Sequence, residues 1–374
     1  MLGDVTFPAN RNIGVQTHRL GPFFMPLQLT SLAELAEWDF DDIIDVRSPA
    51  EFAEDHIPGA INLPALSNEE RAVVGTIYVQ ESAFKARRIG AAMVARNVAD
   101  HIEQQLNDRD GSWRPLVHCW RGGQRSGSFA SILSQIGWRT EVLQGGYKAY
   151  RRLVAKAMYD QPVVHQVILV DGNTGTAKTE ILHHLQTAGA QVLDLEGMAA
   201  HRGSLFGAVK GGQPSQKDFE SRVALALTKL DPSRPVFVEA ESNKIGEILI
   251  PPSLWQAMIA APRITVAAPL DARAEFLTRS YADLVEDKDE LARRIGMLAA
   301  FHSREQIGLW QELRVSCDFQ TLARELMEHH YDPRYARTHQ RRDRKELGLV
   351  DLPKLDEQTL IGVAVPRIQE LAGL

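Results

Sequence analysis

Six short apolar segments alternate with stretches of helical spacing along this chain, and that alternation leaves few folds open. They lie at 42–46, 115–118, 140–143, 167–170, 191–194 and 235–239. Strand–helix repetition of this kind builds parallel sheets covered by helices, so an α/β protein is expected. The stretch 151–166 joins one complete set of these segments to a strand that starts a second, which predicts two domains, 1–150 and 151–374. Between Pro64 and Pro115 the chain is too long for a bare loop. Helical spacing at Ala86, Ile89, Met93, Val94, Val98 and Ile102 predicts a helix over 82–106, within a helical insertion of about 65–114.

The segment at 115–118 runs straight into His118-Cys119-Trp120-Arg121-Gly122-Gly123-Gln124-Arg125-Ser126 and then a helix-like stretch. A loop that opens on cysteine and closes into a helix N-terminus aims backbone N–H groups inward, where they favour a thiolate or a bound anion. Cys119 is the candidate nucleophile, with Arg121 and Arg125 as cations for the oxyanions of a donor. A buried cysteine ending a core strand is the plainer alternative. The five residues between Cys119 and Arg125, with His118 before and Ser126 after, also satisfy the H-C-x5-R-[S/T] spacing of cysteine phosphatases.

The segment at 167–170 leads into Gly172-Asn173-Thr174-Gly175-Thr176-Ala177-Lys178-Thr179 and a helical run, a Walker A motif in its strand-to-helix context. Gly172 and Gly175 let the backbone approach phosphates, Lys178 neutralises them, and Thr179 is the place for Mg²⁺. Ala177 stands where glycine is usual and brings a Cβ into the loop. Asp194, Glu239 and Glu241 follow later strands and are candidate metal or ligand positions, although a strand-end glutamate also serves simply to cap a loop. His201 and Arg202 are candidate phosphate or RNA contacts. Tyr331, Arg334, Tyr335 and Arg337, leading into the basic 340–345, mix rings with cations as RNA-binding segments do, so the second domain is expected to end in a helical, basic part. A solvated helix face is the alternative there, and Cys317 lacks any loop or cation pattern and reads as structural.

Composition narrows the setting. The chain has 374 residues, 44% hydrophobic and 24% charged, which is ordinary for a soluble globular protein. Two cysteines exclude a disulfide framework, and no C-x-x-C spacing suggests zinc. Residues 1–10 lack a basic stretch followed by an apolar one, and no apolar run is long enough for a bilayer, so a cytoplasmic, membrane-free protein is expected. A net charge of −6 argues against a general nucleic-acid coat but leaves room for a local basic surface.

Asp45-Val46-Arg47-Ser48-Pro49, His56-Ile57-Pro58-Gly59-Ala60-Ile61-Asn62, the cysteine loop and Gln144-Gly145-Gly146-Tyr147 together resemble the rhodanese fold over 40–150. Within them Asp45 and Arg47 read as an ion pair and Gly145-Gly146 as a turn beside the loop. A rhodanese-like sheet followed by a P-loop NTPase-like domain, with Asp194-Leu195-Glu196-Gly197, His201-Arg202-Gly203-Ser204 and Tyr331-Asp332-Pro333-Arg334-Tyr335, resembles the bacterial tRNA 2-selenouridine synthases. The resemblance implies a transferase that replaces sulfur by selenium in wobble 2-thiouridine of tRNA, through an S-geranyl intermediate. It further implies selenophosphate and geranyl diphosphate as substrates, Mg²⁺ beside the P-loop, and a selenophosphate-supplying enzyme as partner. Two other readings stay open: a cysteine-dependent phosphatase or arsenate reductase of the rhodanese fold, and a non-catalytic sulfur carrier or RNA-binding adaptor.

Overall fold

The computed structural model describes residues 27–240, 242–339 and 345–374. Four parallel strands form the first sheet: β1 (Asp42–Asp45), β2 (Ala60–Asn62), β3 (Pro115–His118) and β4 (Glu141–Val142), in the order β2-β1-β3-β4. β3 is buried along its whole length, which is why it reads as an unbroken apolar run rather than an alternating one. Helix Gln124–Ile136 lays Phe129, Ala130 and Leu133 against Ile44, Val46 and Val117. Trp113 and Trp138 meet edge to face at 5.0 Å below them.

The insertion holds two helices, Asn68–Gln80 and Ala83–Gln104. The longer one follows the apolar spacing at Ala86, Val94 and Val98. The shorter one buries none of its residues fully, so it lacks a strong apolar stripe, but its start is set by a Ser67/Glu70 capping box.

The second sheet contains β5 (Gln166–Asp171), β6 (Gln191–Leu193), β7 (Pro235–Glu239), β10 (Arg263–Ala267) and β11 (Glu346–Asp351), all parallel in the order β11-β10-β5-β7-β6. Between β7 and β10 a small antiparallel pair, β8 (Lys244–Ile245) and β9 (Ile248–Leu249), projects as a hairpin. Within the C-terminal part the chain also returns to the sheet as the edge strand β11 and closes with helix Val365–Ala372. Beside the sheet, helices Leu270–Ser280, Lys288–Met297, Arg304–Val315 and Phe319–Leu326 pack around the buried Ile295, Trp310 and Leu322.

The two halves share one core. Tyr147, Tyr150 and Val154 of helix Gly146–Ala155 pack with Phe219 and Val223 of helix Gln216–Thr228. The buried Asp55 carboxylate accepts hydrogen bonds from Tyr147 (2.7 Å) and from Ser221 of the second half (3.1 Å). Arg151 pairs with the buried Glu220 in the same seam.

Candidate functional site

Cys119 sits at the C-terminal end of β3, 4% exposed, where ligands gather in parallel sheets. Its Sγ accepts hydrogen bonds from the Gly123 N–H (3.3 Å) and the Ser126 hydroxyl (3.2 Å). Burial pushes the thiol up, but the donors from Ser126, Gly123 and Arg121 outweigh it and bring Cys119 below the ordinary thiol value. The loop closes on Gly146, whose φ of +54° and close approach admit no side chain: a Cβ there would lie 2.2 Å from the Cys119 carbonyl oxygen and 2.6 Å from the Gly122 nitrogen. Gly146→Ala is therefore expected to destabilise the fold by about 2 kcal/mol or more, read as a lowered Tm, and to alter the rate of Cys119 alkylation.

Arg121 is exposed at the loop surface, while Arg125 turns to Glu51 at 2.9 Å. Glu51 also meets Arg71, at 3.4 Å. Beneath the loop, Asp45 and Arg47 form the ion pair read from the sequence, fully buried, with the Arg47 guanidinium 3.8 Å from the Tyr147 ring centroid. The buried His118 is held neutral, since burial lowers its pKa more than Asp45 raises it.

The P-loop joins β5 to helix Lys178–Thr187. Ala177 takes the left-handed conformation (φ +58°, ψ +28°) that glycine adopts without strain, and its side chain is buried in the apolar core of this half. Gly172 lies so close to β10 that a Cβ would come 2.5 Å from the Val266 carbonyl oxygen. Lys178 Nζ donates to the Gly172 and Asn173 carbonyls at 2.8 and 3.3 Å. Thr179 donates to Glu196 Oε2 at 3.0 Å. Asp194 caps the helix that carries Glu196, accepting from the Gly197 N–H at 2.7 Å, and meets His183 at 3.1 Å. Glu239 accepts from the Leu195 N–H at 3.1 Å; burial and the charges of Asp194 and Glu196 push its carboxyl well above the usual range. Among the described residues no group of three or more His, Cys, Asp or Glu side chains could by itself hold a metal. Thr179 and Glu196 are oxygen donors of the kind that would hold a Mg²⁺ beside a bound phosphate group.

A cleft of about 430 Å³ opens over the P-loop, lined by Lys178, Thr179, Glu196, Arg202, Tyr281 and Tyr335 among others. It adjoins an apolar cavity walled by Phe206, Leu277, Leu284, Leu322, Leu326 and Met327. Thr174, Ser204, Leu277, Tyr281 and Tyr331 border both. Arg202 holds Asp283 through Nη2 at 2.9 Å, while its Nη1 is buried with no acceptor among the described residues. Arg273 clamps the Thr174 carbonyl (2.7 Å) to Asp332 (2.7 Å), fixing the P-loop against the helical lobe.

The residues expected to meet RNA are spread over the P-loop half. Tyr331 borders the apolar cavity, and Tyr335 donates to Asp171 Oδ1 at 3.0 Å; both line the cleft over the P-loop. Arg334 lies 4.3 Å from the centroid of the Phe301 ring, and Arg337 is exposed. His201 accepts from the Gly203 N–H at 3.1 Å and packs beside Gly246, a loop-ordering position. Glu241 and the basic 340–344 lie outside the described residues. Glu196, Arg273, Ser204 and Tyr281 were not singled out from the sequence. Glu196 and Ser204 stand within the motifs Asp194-Leu195-Glu196-Gly197 and His201-Arg202-Gly203-Ser204, whereas Arg273 and Tyr281 are brought to the site only by the tertiary packing of the helical lobe.

Residues 28–153 match the family described as rhodanese-like domain, and residues 165–306 match that described as tRNA 2-selenouridine synthase AAA domain. A tRNA 2-selenouridine synthase of Alcanivorax borkumensis is 32% identical over 325 residues, 78% of this chain and 88% of that protein. The chain belongs to the tRNA 2-selenouridine synthase family. Its members of the same name from Nitrosomonas europaea and Psychromonas ingrahamii are 36% and 34% identical, over 64% and 67% of this chain. The alignment spans 63% of the N. europaea protein, a little under two thirds of its length. Among the described residues no helix is long and apolar enough to cross a membrane.

Proposed function

We propose that this chain replaces the sulfur of wobble 2-thiouridine in tRNA by selenium, through an S-geranyl intermediate, in the cytoplasm. The observation that carries the prenyl step is the junction of the P-loop cleft with an apolar cavity. A phosphate cradle opening into an apolar pocket suits a diphosphate with a hydrocarbon tail better than a nucleotide, whose base and ribose need polar partners. In the first step the sulfur of 2-thiouridine attacks C1 of geranyl diphosphate; the C–S bond forms, the C–O bond breaks, diphosphate leaves, and the uracil N3 proton goes to solvent. Lys178 and the unpaired Nη1 of Arg202 hold the departing charge. Tyr331, whose hydroxyl burial keeps protonated, supplies a hydrogen-bond donor at the cleft's apolar edge.

In the second step the Cys119 thiolate attacks the phosphorus of selenophosphate. The S–P bond forms, the P–Se bond breaks, and hydrogenselenide is released beside the loop. Selenium stays at its reduced level throughout, so no oxidant is required. Hydrogenselenide then adds to C2 of the S-geranyl uridine and geranylthiol leaves, taking the selenium-borne proton, while water returns the cysteine and inorganic phosphate. Arg121, with Arg125 once released from Glu51, holds the donor's oxyanions. A selenophosphate-supplying enzyme is the implied partner.

Nucleoside mass spectrometry on 2-thiouridine tRNA with selenophosphate, Mg²⁺ and geranyl diphosphate tests the reading: a selenium isotope pattern supports it, and an unchanged nucleoside with competent substrates overturns it. Leu326→Trp fills the apolar cavity and is expected to lower prenyl transfer at least tenfold while leaving inorganic diphosphate affinity within about twofold. Equal loss of both would place the tail elsewhere.

A further inference from the structure

Glu51 is the third residue of helix Pro49–Glu54, and its carboxylate meets two cations that come from different parts of the first half. Arg125, in the first turn of helix Gln124–Ile136, donates from Nη1 to Glu51 Oε2 at 2.9 Å. Arg71, from the shorter insertion helix, brings Nε to 3.4 Å of the same oxygen. The Ser48 N–H and hydroxyl also donate to it, each at 3.2 Å.

The two partners of the Glu51–Arg125 pair are unequal. Among the described residues Glu51 is the one acid that Arg125 meets, whereas Glu51 keeps Arg71 and both Ser48 donors if Arg125 leaves. Arg125 is also a cation of the cysteine loop, since the neighbouring Ser126 donates its hydroxyl to Cys119 Sγ at 3.2 Å. A guanidinium is best satisfied by an anion that offers it two oxygens, and Glu51 offers it one. A phosphoryl group entering the loop therefore takes Arg125 without stranding a partly buried carboxylate.

We infer that Glu51 is a place-holder on Arg125: its carboxylate occupies the guanidinium in the free protein, the phosphoryl group of a donor displaces it, and Arg71 with Ser48 receives it. Glu51 and Arg71 are thus positioning residues that act on the donor through Arg125. The inference rests on the reading above only in that the loop takes a donor's oxyanions. Donor affinity is then set by an exchange of partners, so weakening the resting pair strengthens the donor and strengthening the pair weakens it.

The test measures how inorganic phosphate protects Cys119 of the full chain from iodoacetamide at constant ionic strength, following the Cys119 peptide by mass spectrometry because Cys317 is exposed and is alkylated too. Glu51→Gln keeps the capping box, in which glutamine also serves, and is expected to lower the half-protecting phosphate concentration about three- to tenfold. Arg71→Ala leaves Glu51 with Arg125 as its one cation and is expected to raise it about two- to threefold. Two double-mutant cycles separate exchange from the plain loss of a charge. The gain of Glu51→Gln is expected to vanish in an Arg125→Ala background, and the loss of Arg71→Ala to vanish in a Glu51→Gln background. Where Arg125→Ala by itself abolishes protection, the second cycle decides. Effects that persist in those backgrounds overturn the exchange, as does wild-type protection in Glu51→Gln or a wild-type Cys119 that phosphate does not protect. Circular dichroism reports that the variants are folded. Protection with the expected signs and cycles, in a chain that alters no nucleoside when given competent substrates, overturns the selenation reading and leaves the exchange standing.

Discussion

Replacing Lys178 by alanine is expected to lower geranyl transfer to tRNA by a factor of roughly 10² to 10³, about 3–4 kcal/mol of transition-state stabilisation. The reaction separates a diphosphate from carbon, and negative charge on the leaving oxygens grows as the C–O bond stretches. Lys178 is the cation at the head of the P-loop helix, and its ammonium already lies 2.8 Å from the Gly172 carbonyl, within the cradle. Arg202 adds a second charge, but it is shared with Asp283 at 2.9 Å and so cannot replace the first. The measurement is single-turnover formation of S-geranyl-2-thiouridine, followed by mass spectrometry with geranyl diphosphate saturating. Selenation of tRNA that has been geranylated beforehand should persist within about twofold in the same variant, because that step draws on the cysteine loop. A Lys178→Ala chain that geranylates at the wild-type rate would remove the P-loop from the reaction.

What the sequence discloses of this fold follows from where its constraints are local. All six expected strands form; β3, β5, β6 and β7 are largely buried runs whose apolar character is visible locally, while β4 is only the partly buried pair Glu141–Val142. β10 and β11 escape for the opposite reason: Arg263 and Thr265 interrupt the first, and β11 is an edge strand with a single buried residue, Val350. The two loops are legible since strand, glycine-rich turn and helix are contiguous, and the cysteine loop's tie to Gly146 is foreshadowed by the glycine pair. The apolar cavity is not legible. Most of its wall comes from helices about a hundred or more residues beyond the P-loop, with Phe206 from a nearer loop, and no local pattern separates a side chain lining a cavity from one filling a core. Tyr331 and Tyr335 show the same limit, since nothing local tells that packing sets both rings in the wall of the P-loop cleft.

Cys119→Ser is expected to abolish selenation, by a factor on the order of 10³ or more, and to leave geranylation nearly untouched, so that S-geranyl-2-thiouridine accumulates. The two outcomes belong together. Serine preserves the size of the side chain and the loop's hydrogen-bond partners, but its hydroxyl stays protonated where a thiol lowered by three donors ionises. The sign of the pH effect follows from the same donors. Because the folded protein favours the thiolate, alkylation of Cys119 by iodoacetamide should rise with pH and level off below the value of about 8.5 expected for a free cysteine. Ser126→Ala removes one donor at 3.2 Å, so the midpoint should move up, and selenation near neutral pH should fall in proportion to the lost thiolate. If instead the midpoint moves down, or if Ser126→Ala shifts it while selenation at neutral pH is unchanged, the thiolate is not the group that receives the phosphoryl. Selenophosphate would then deliver its selenium to C2 directly, with the loop serving only to bind the donor's oxyanions, and Cys119→Ser would retain most of its activity.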